Sequence, residues 1–345
     1  MTRVAVVSPE PTPYRSPLFD RIAARPDLDL TVIYAARTVA ARTWSVEPKH
    51  RSVFLRGANV PGASLLLRHA YPLTPGILRA LYVADPEVVV VSGWSTFASQ
   101  AAIGWCRARR IPYVLLVESH DVERRAGWRR GVKRAVVPRL VRGAASVLVV
   151  GSAARESMLA HGARPERIRI FANTIDVDAW VARAKSISRP SHDGVRVLSV
   201  GRRVADKGFD VLESACAQAD VALEIVAGGL SEDELARRYV EADIFALVSR
   251  HEPWGVVVNE AAASGLPLVL SDRVGAARDL LRDGENGFLV PVDDADAAAN
   301  ALRALAADPE KRRRFGRRSR ELVRAWDYEP SVENFVSAVR DARGT

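Results

Sequence analysis

Short, almost wholly apolar runs alternate along the chain with longer stretches in which apolar residues recur at helical spacing. The runs at 3–8, 29–34, 87–92, 112–117, 145–150 and 167–171 are strand-sized and have little polar face. That is the pattern of strands covered on both sides in a parallel sheet. Amphipathic stretches such as 16–25, 98–109 and 152–161 lie between them and read as helices. Residues 183–194, RAKSISRPSHDG, are polar and aperiodic and read as a linker. A second series follows, with strands at 195–200, 223–227, 243–248 and 267–271 and helices at 208–218, 231–241, 256–264 and 276–282. Two charged amphipathic helices, 296–306 and 309–325, come next. Trp326-Asp327-Tyr328 then breaks the pattern before a last helix at 330–342. The expectation is an α/β chain with two parallel-sheet domains, 1–185 and 186–326, and a C-terminal segment, 327–345.

Composition narrows this only slightly. The chain has 345 residues, of which 48% are hydrophobic and 26% charged, a balance that supports two ordinary cores. Its two cysteines, Cys106 and Cys216, form no spaced set for a disulfide framework or a zinc site. No charged-then-apolar leader opens the chain, and no apolar run approaches the roughly 20 residues of a spanning helix. A cytoplasmic location is therefore expected. The net charge of +9 is uneven: residues 1–185 carry +14 and the remainder −5. The basic half suits an anionic partner, whether nucleic acid, membrane or acidic acceptor.

The candidate chemistry sits in loops that leave strands. The first loop, Ser8-Pro9-Glu10-Pro11-Thr12-Pro13-Tyr14-Arg15, has no glycine, which disfavours a dinucleotide-binding G-x-G-x-x-G turn. In the second half, Gly201-Arg202-Arg203-Val204-Ala205-Asp206-Lys207-Gly208 follows a strand. Arg202 can grip a phosphate with its fork and Lys207 can add a point charge; a basic surface loop reads equally well from these residues alone. The segment from Ser249 to Pro267 then places Glu252 in a loop and Glu260 within a helix delimited by Pro253, Gly255 and Gly265. Glu260 lies roughly 6–8 Å along the axis from the helix start. The amides near Gly255, Val256 and Val257 are free there and favour an anion. Carboxylate, phosphate-binding amides and carboxylate match the order of sugar, diphosphate and ribose in a nucleoside-diphosphate sugar. Glu260 is also the one charge in VVVNEAAASG, where a solvated glutamate is unexpected.

This segment resembles the E-x7-E signature of the retaining GT4 glycosyltransferases (glycosyl transferases group 1). Gly201-Arg202 with Lys207-Gly208 is similar to that family's G-R-L-x-x-x-K-G loop. Tyr239, Ala242, Asp243 and Ser249 resemble its Y-x-x-A-D…P-S stretch, and Asn173-Thr174-Ile175-Asp176 its N-G-V-D. Gly275, Asp283-Gly284 and Gly287-Phe288-Leu289-Val290 resemble G-G-x-x-E…D-G-x-x-G-x-L-V. The resemblance implies a GT-B fold: two Rossmann-like domains facing a cleft, with the C-terminal helix crossing back to the first. It implies a first domain that binds the acceptor and a second that binds the donor. It implies that Arg202 and Lys207 neutralise the donor diphosphate, that Glu252 holds sugar hydroxyls, and that Glu260 binds the ribose. Trp254, Gly255 and Val256 would contact phosphate or sugar, and Leu230 the base. His120, in Glu118-Ser119-His120-Asp121, would stand near the reacting centre; it reads otherwise as a loop histidine bonded to Asp121. The implied donor is a UDP-sugar first and a GDP-sugar second, with no metal and no other cofactor. The acceptor would be a saccharide, a lipid-linked sugar or a small molecule, in glycan, polysaccharide, glycolipid or natural-product biosynthesis.

Two departures modify the expectation. The glycine-poor first loop makes Tyr14 and Arg15 the acceptor-side candidates, unless they only pack the first helix. A strand–helix unit usual before Val221–Ser231 is missing, so a smaller second sheet is expected. Residues 123–142, ERRAGWRRGVKRAVVPRLVR, carry Trp128, Val132, Val136 and Leu140 at four-residue spacing among cations. They resemble an interfacial helix able to hold the protein on the inner face of the cytoplasmic membrane, or read as a solvated surface helix. The competing functions are a non-transferring GT-B enzyme such as a sugar-nucleotide epimerase, and a basic nucleic-acid-binding or scaffolding protein. The nucleic-acid-binding reading gives Glu252 no role, and no nucleic-acid partner is expected.

Overall fold

In the computed structural model, residues 1–37, 46–58, 71–118 and 136–344 are described; His120 and residues 123–135 of the basic stretch lie outside them. The first sheet has seven parallel strands, β1 (Thr2–Ser8), β2 (Leu28–Tyr34), β3 (Ser52–Phe54), β4 (Val88–Ser92), β5 (Tyr113–Val117), β6 (Ser146–Val149) and β7 (Ile168–Ile170), in the order β3-β2-β1-β4-β5-β6-β7. The second has five, β8 (Arg196–Val200), β9 (Ala222–Val226), β10 (Ile244–Leu247), β11 (Leu268–Ser271) and β12 (Gly287–Val290), in the order β12-β11-β10-β8-β9. Strands β1, β4 and β5 are buried on both faces, as their unbroken apolar runs require. The two-domain α/β architecture is that expected from the alternation of strands and helices.

The chain changes sheets earlier than the polar stretch 183–194 suggests. After β7 it enters the helix Val177–Ser186, capped by Asp176, which accepts from the Ala179 amide. Trp180 of this helix donates to Ser264 Oγ at 2.9 Å and meets Tyr239 edge-on, so the helix packs on the second sheet's layer. Only residues 187–195 remain as coil. The last helix, Tyr328–Arg343, starts at Asp327 and returns to the first sheet. Its Val332, Phe335, Val336 and Val339 are buried with Val4, Val6, Val90 and Leu116, completing that core. Strands β3 and β12 and the helices Ile77–Ala84 and Val177–Ser186 have no counterpart in the sequence reading. The first two are only 3 and 4 residues long, too short to show a period.

Candidate active site

Strand β8 delivers the loop Gly201–Gly208 to the carboxyl edge of the second sheet, where open α/β sheets bind ligands. Gly208 has φ +63°, and a Cβ there would stand 2.5 Å from the Val248 carbonyl oxygen, so the turn admits only glycine. The loop folds Lys207 back across Gly201, whose added Cβ would come 3.1 Å from Lys207 Cε. The Lys207 ammonium then pairs with the Glu252 carboxylate; both side chains are largely buried. Arg202 beside it is exposed and forms no ion pair with a described residue.

Glu252 is fixed by the backbone. Its amide donates to the Arg273 carbonyl at 3.2 Å, its own carbonyl accepts from Gly275 at 2.9 Å, and that of Trp254 accepts from Ala276 at 2.9 Å. The loops after β10 and β11 are thus zipped together. A Cβ on Gly275 would lie 2.1 Å from the Pro253 carbonyl oxygen. Gly255, at φ +93°, turns the chain into the helix Val256–Ser264, whose first-turn amides have no partner within it. Glu260, inside that helix, accepts from the Tyr239 hydroxyl at 2.8 Å. Burial pushes its carboxyl up to about 7; the Tyr239 bond pulls against this and Glu232 adds to it. Burial, and then Glu260 itself, hold the Tyr239 hydroxyl well above its ordinary value, so it stays a donor.

The first domain reaches this helix through a chain of polar contacts. Asn259 donates to Thr174 Oγ1 at 3.1 Å and accepts from the Trp254 indole at 3.0 Å. Neighbouring Asn173 takes a bond from Arg15, which also donates to Glu118 at 2.7 Å and lies 4.5 Å over the Phe171 ring. Arg15 is 4% exposed. It therefore ties the carboxyl ends of β5 and β7 to the first loop, and Tyr14 beside it is half-buried. Trp254 is 2% exposed, its ring tilted against that of Trp326 at 4.9 Å and pressed on Gly151, so its indole fills the domain junction. Leu230 stands exposed in the loop after β9, beyond Gly228 and Gly229 at φ +115° and +82°.

Lys207, Glu252, Gly255, Val256 and Glu260 thus fall along one loop–helix unit, with Arg202 at its rim. Tyr239 and Asn259, which hold Glu260 and the junction, were given no role from the sequence. The only sequence signal for Asn259 is its polarity within an apolar run. Chemically, the unit offers an ammonium and free amides for a diphosphate, flanked by two carboxylates for hydroxyls.

Residues 4–174 match the glycosyl transferase 4-like domain, and residues 224–322 match glycosyl transferases group 1. The sulfoquinovosyl transferase SQD2 of Arabidopsis thaliana is 25% identical over 74% of this chain; the match spans 57% of that relative, little more than half its length. A GDP-mannose-dependent alpha-mannosyltransferase of Mycobacterium tuberculosis is 28% identical over 72% of each chain. The structure of Anabaena Alr3699/HepE in complex with UDP superposes with a TM-score of 0.73, covering 98% of this chain and 99% of that one at 16% identity. That last likeness is one of fold. No helix among the described residues is long and apolar enough to cross a membrane.

Proposed function

Because the chain belongs to the glycosyl transferases group 1 family and has its two-domain GT-B fold, we propose that it moves a sugar from a nucleoside-diphosphate sugar to an acceptor hydroxyl. The observation that carries this is the Lys207–Glu252 pair at the start of the helix that holds Glu260. Lys207 and Arg202 take the diphosphate together with the amides of Gly255 and Val256, and stabilise it as it leaves. Glu252 accepts from sugar hydroxyls, Glu260 from the ribose, and Leu230 lies under the base. His120, outside the described residues, is assigned to the transferring sugar by the family resemblance alone. Trp254 contributes its backbone only. Arg15 acts as a positioning residue for Glu118 and Asn173, while Tyr14 faces the acceptor. The acceptor hydroxyl attacks from the face the diphosphate leaves, its proton passing to a donor phosphate oxygen, so the anomeric configuration is kept.

The donor is a UDP- or GDP-sugar, and the cations of this chain make a metal unnecessary. Turnover with each donor and saccharide or lipid-linked acceptors, followed by release of the nucleoside diphosphate, tests the reading. Release is expected with one donor class, unchanged by EDTA. Interconversion of the donor sugar without an acceptor would indicate an epimerase and overturn it.

Glu260 adds a pH dependence. Ribose hydroxyls donate to its carboxylate form, so donor binding releases a proton and tightens as pH rises through about 7. KM for the donor should fall several-fold from pH 6 to pH 8, and should be flat in Glu260→Gln. Stability runs the other way. The folded carboxyl titrates above its ordinary value of 4.5, so its buried charge costs nothing well below 4.5 and its full amount above 7. That cost is on the order of 3 kcal/mol. Thermal unfolding of Glu260→Gln should therefore gain on wild type between pH 5 and pH 8, even though the variant binds donor less well.

A further inference from the structure

A second charged surface lies at the opposite end of the first domain, before the amino ends of its strands. Arg109 and Arg110 close the helix Phe97–Arg109 ahead of β5, Arg142 ends the helical residues 136–143 ahead of β6, and Arg164 sits in the turn ahead of β7. None of these four forms an ion pair with a described residue, although carboxylates pair with many of the chain's other arginines. Three contacts make them one surface. Arg107 donates to the Arg139 carbonyl at 3.1 Å, Arg142 packs against Gly162 where a Cβ would lie 3.3 Å from its Nε, and Arg167 reaches the Ala144 carbonyl at 3.5 Å. Arg142, Arg164 and Arg167 also share a cavity of about 180 Å³ with apolar walls, wide enough for a phosphate-sized group.

An apolar ridge runs beside these cations. The helix Ile77–Ala84 exposes Leu78 (47%), Tyr82 (66%) and Val83 (74%). The Arg109 guanidinium lies 5.9 Å from the ring centroids of both Tyr82 and Trp105, which joins ridge and cations. A solvated face has no use for adjacent exposed Leu, Tyr and Val, and contiguous apolar exposure marks a contact surface. A soluble polyanion would account for the arginines and leave the ridge unexplained. Aromatic and aliphatic side chains flanked by arginines match a bilayer interface, where the former enter the headgroup boundary and the latter meet anionic phosphates.

We propose that this end of the first domain docks on an anionic lipid bilayer through Arg109, Arg110, Arg142 and Arg164, with Leu78, Tyr82 and Val83 inserted. The surface faces away from the carboxyl ends of the strands, so docking leaves the donor site open and is independent of the transfer reaction. Of these four arginines only Arg142 belongs to the basic stretch 123–142.

The test is co-sedimentation of the full chain with phosphatidylcholine vesicles, with and without about 30% phosphatidylglycerol. Binding is expected only with the anionic lipid and should fall steeply with salt. Alanine at Arg109, Arg110, Arg142 and Arg164 together should lower partitioning roughly tenfold or more. Tyr82→Ser with Val83→Ser should lower it several-fold, and both variants should keep wild-type thermal unfolding because the altered side chains are exposed. No binding to anionic vesicles, or binding that survives both replacements, overturns the proposal. Loss in the arginine variant with none in the serine variant would point to a soluble polyanion and overturn it equally.

Discussion

Lys207→Ala is expected to lower turnover by about a thousandfold with the fold intact. The ammonium is a cation held in place at the second sheet's ligand edge, laid over Gly201 and paired with Glu252. Charge accumulates on the diphosphate as the sugar leaves, so a fixed cation is worth more in the transition state than in the ground state. The loss should therefore appear in kcat, with a smaller fall in affinity for the free nucleoside diphosphate. Arginine should rescue poorly. The guanidinium is wider than the ammonium, and the lysine stem already lies close to the Gly201 backbone. Steady-state kinetics of the two variants, with thermal unfolding as the control, checks this. Turnover within tenfold of wild type in Lys207→Ala would remove the residue from the diphosphate site.

Glu252→Gln should lower kcat/KM by about a hundredfold through a different route. A carboxylate bonded to two sugar hydroxyls loses charge assistance at both, each bond being worth about 1.5–3 kcal/mol. The amide keeps the shape of the side chain, and the backbone bonds to Arg273 and Gly275 hold the loop as before. Lys207, released from its carboxylate partner, remains available to phosphate. Affinity for the nucleoside diphosphate without its sugar should thus be unchanged or higher, while affinity for the intact donor falls. A parallel loss of both would place Glu252 at the nucleotide rather than the sugar.

Much of the fold could be read from the chain because parallel strands buried on both sides are unbroken apolar runs, and Gly and Pro punctuate their exits. The loop–helix unit was legible for a related reason. Gly208, Gly255 and Gly265 mark its turns locally, and the spacing of Glu252 and Glu260 lies within one segment. What was not legible depends on distant residues. Arg15 reads either as an acceptor-side candidate or as packing of the first helix; its burial by Glu118 and Asn173 depends on the sheet order that brings them to it. The family resemblance implies a ligand contact at Trp254; Trp326 and Gly151, far along the chain, claim its ring. The bond from Tyr239 to Glu260 likewise depends on how two helices pack. The end of the helix Val177–Ser186 reads as linker because it is polar, whereas Trp180 and Ala184 anchor the helix on the second domain.

Calorimetric titration at pH 8 with UDP, GDP and their sugars probes the donor site most directly. The expected result is binding of one nucleotide class and its sugar, weakened for both ligands by Lys207→Ala and by Glu260→Gln, and weakened for the sugar form alone by Glu252→Gln. Absence of binding by every donor, or equal affinity in wild type and all three variants, would contradict the assignment of this loop–helix unit to a nucleoside-diphosphate sugar.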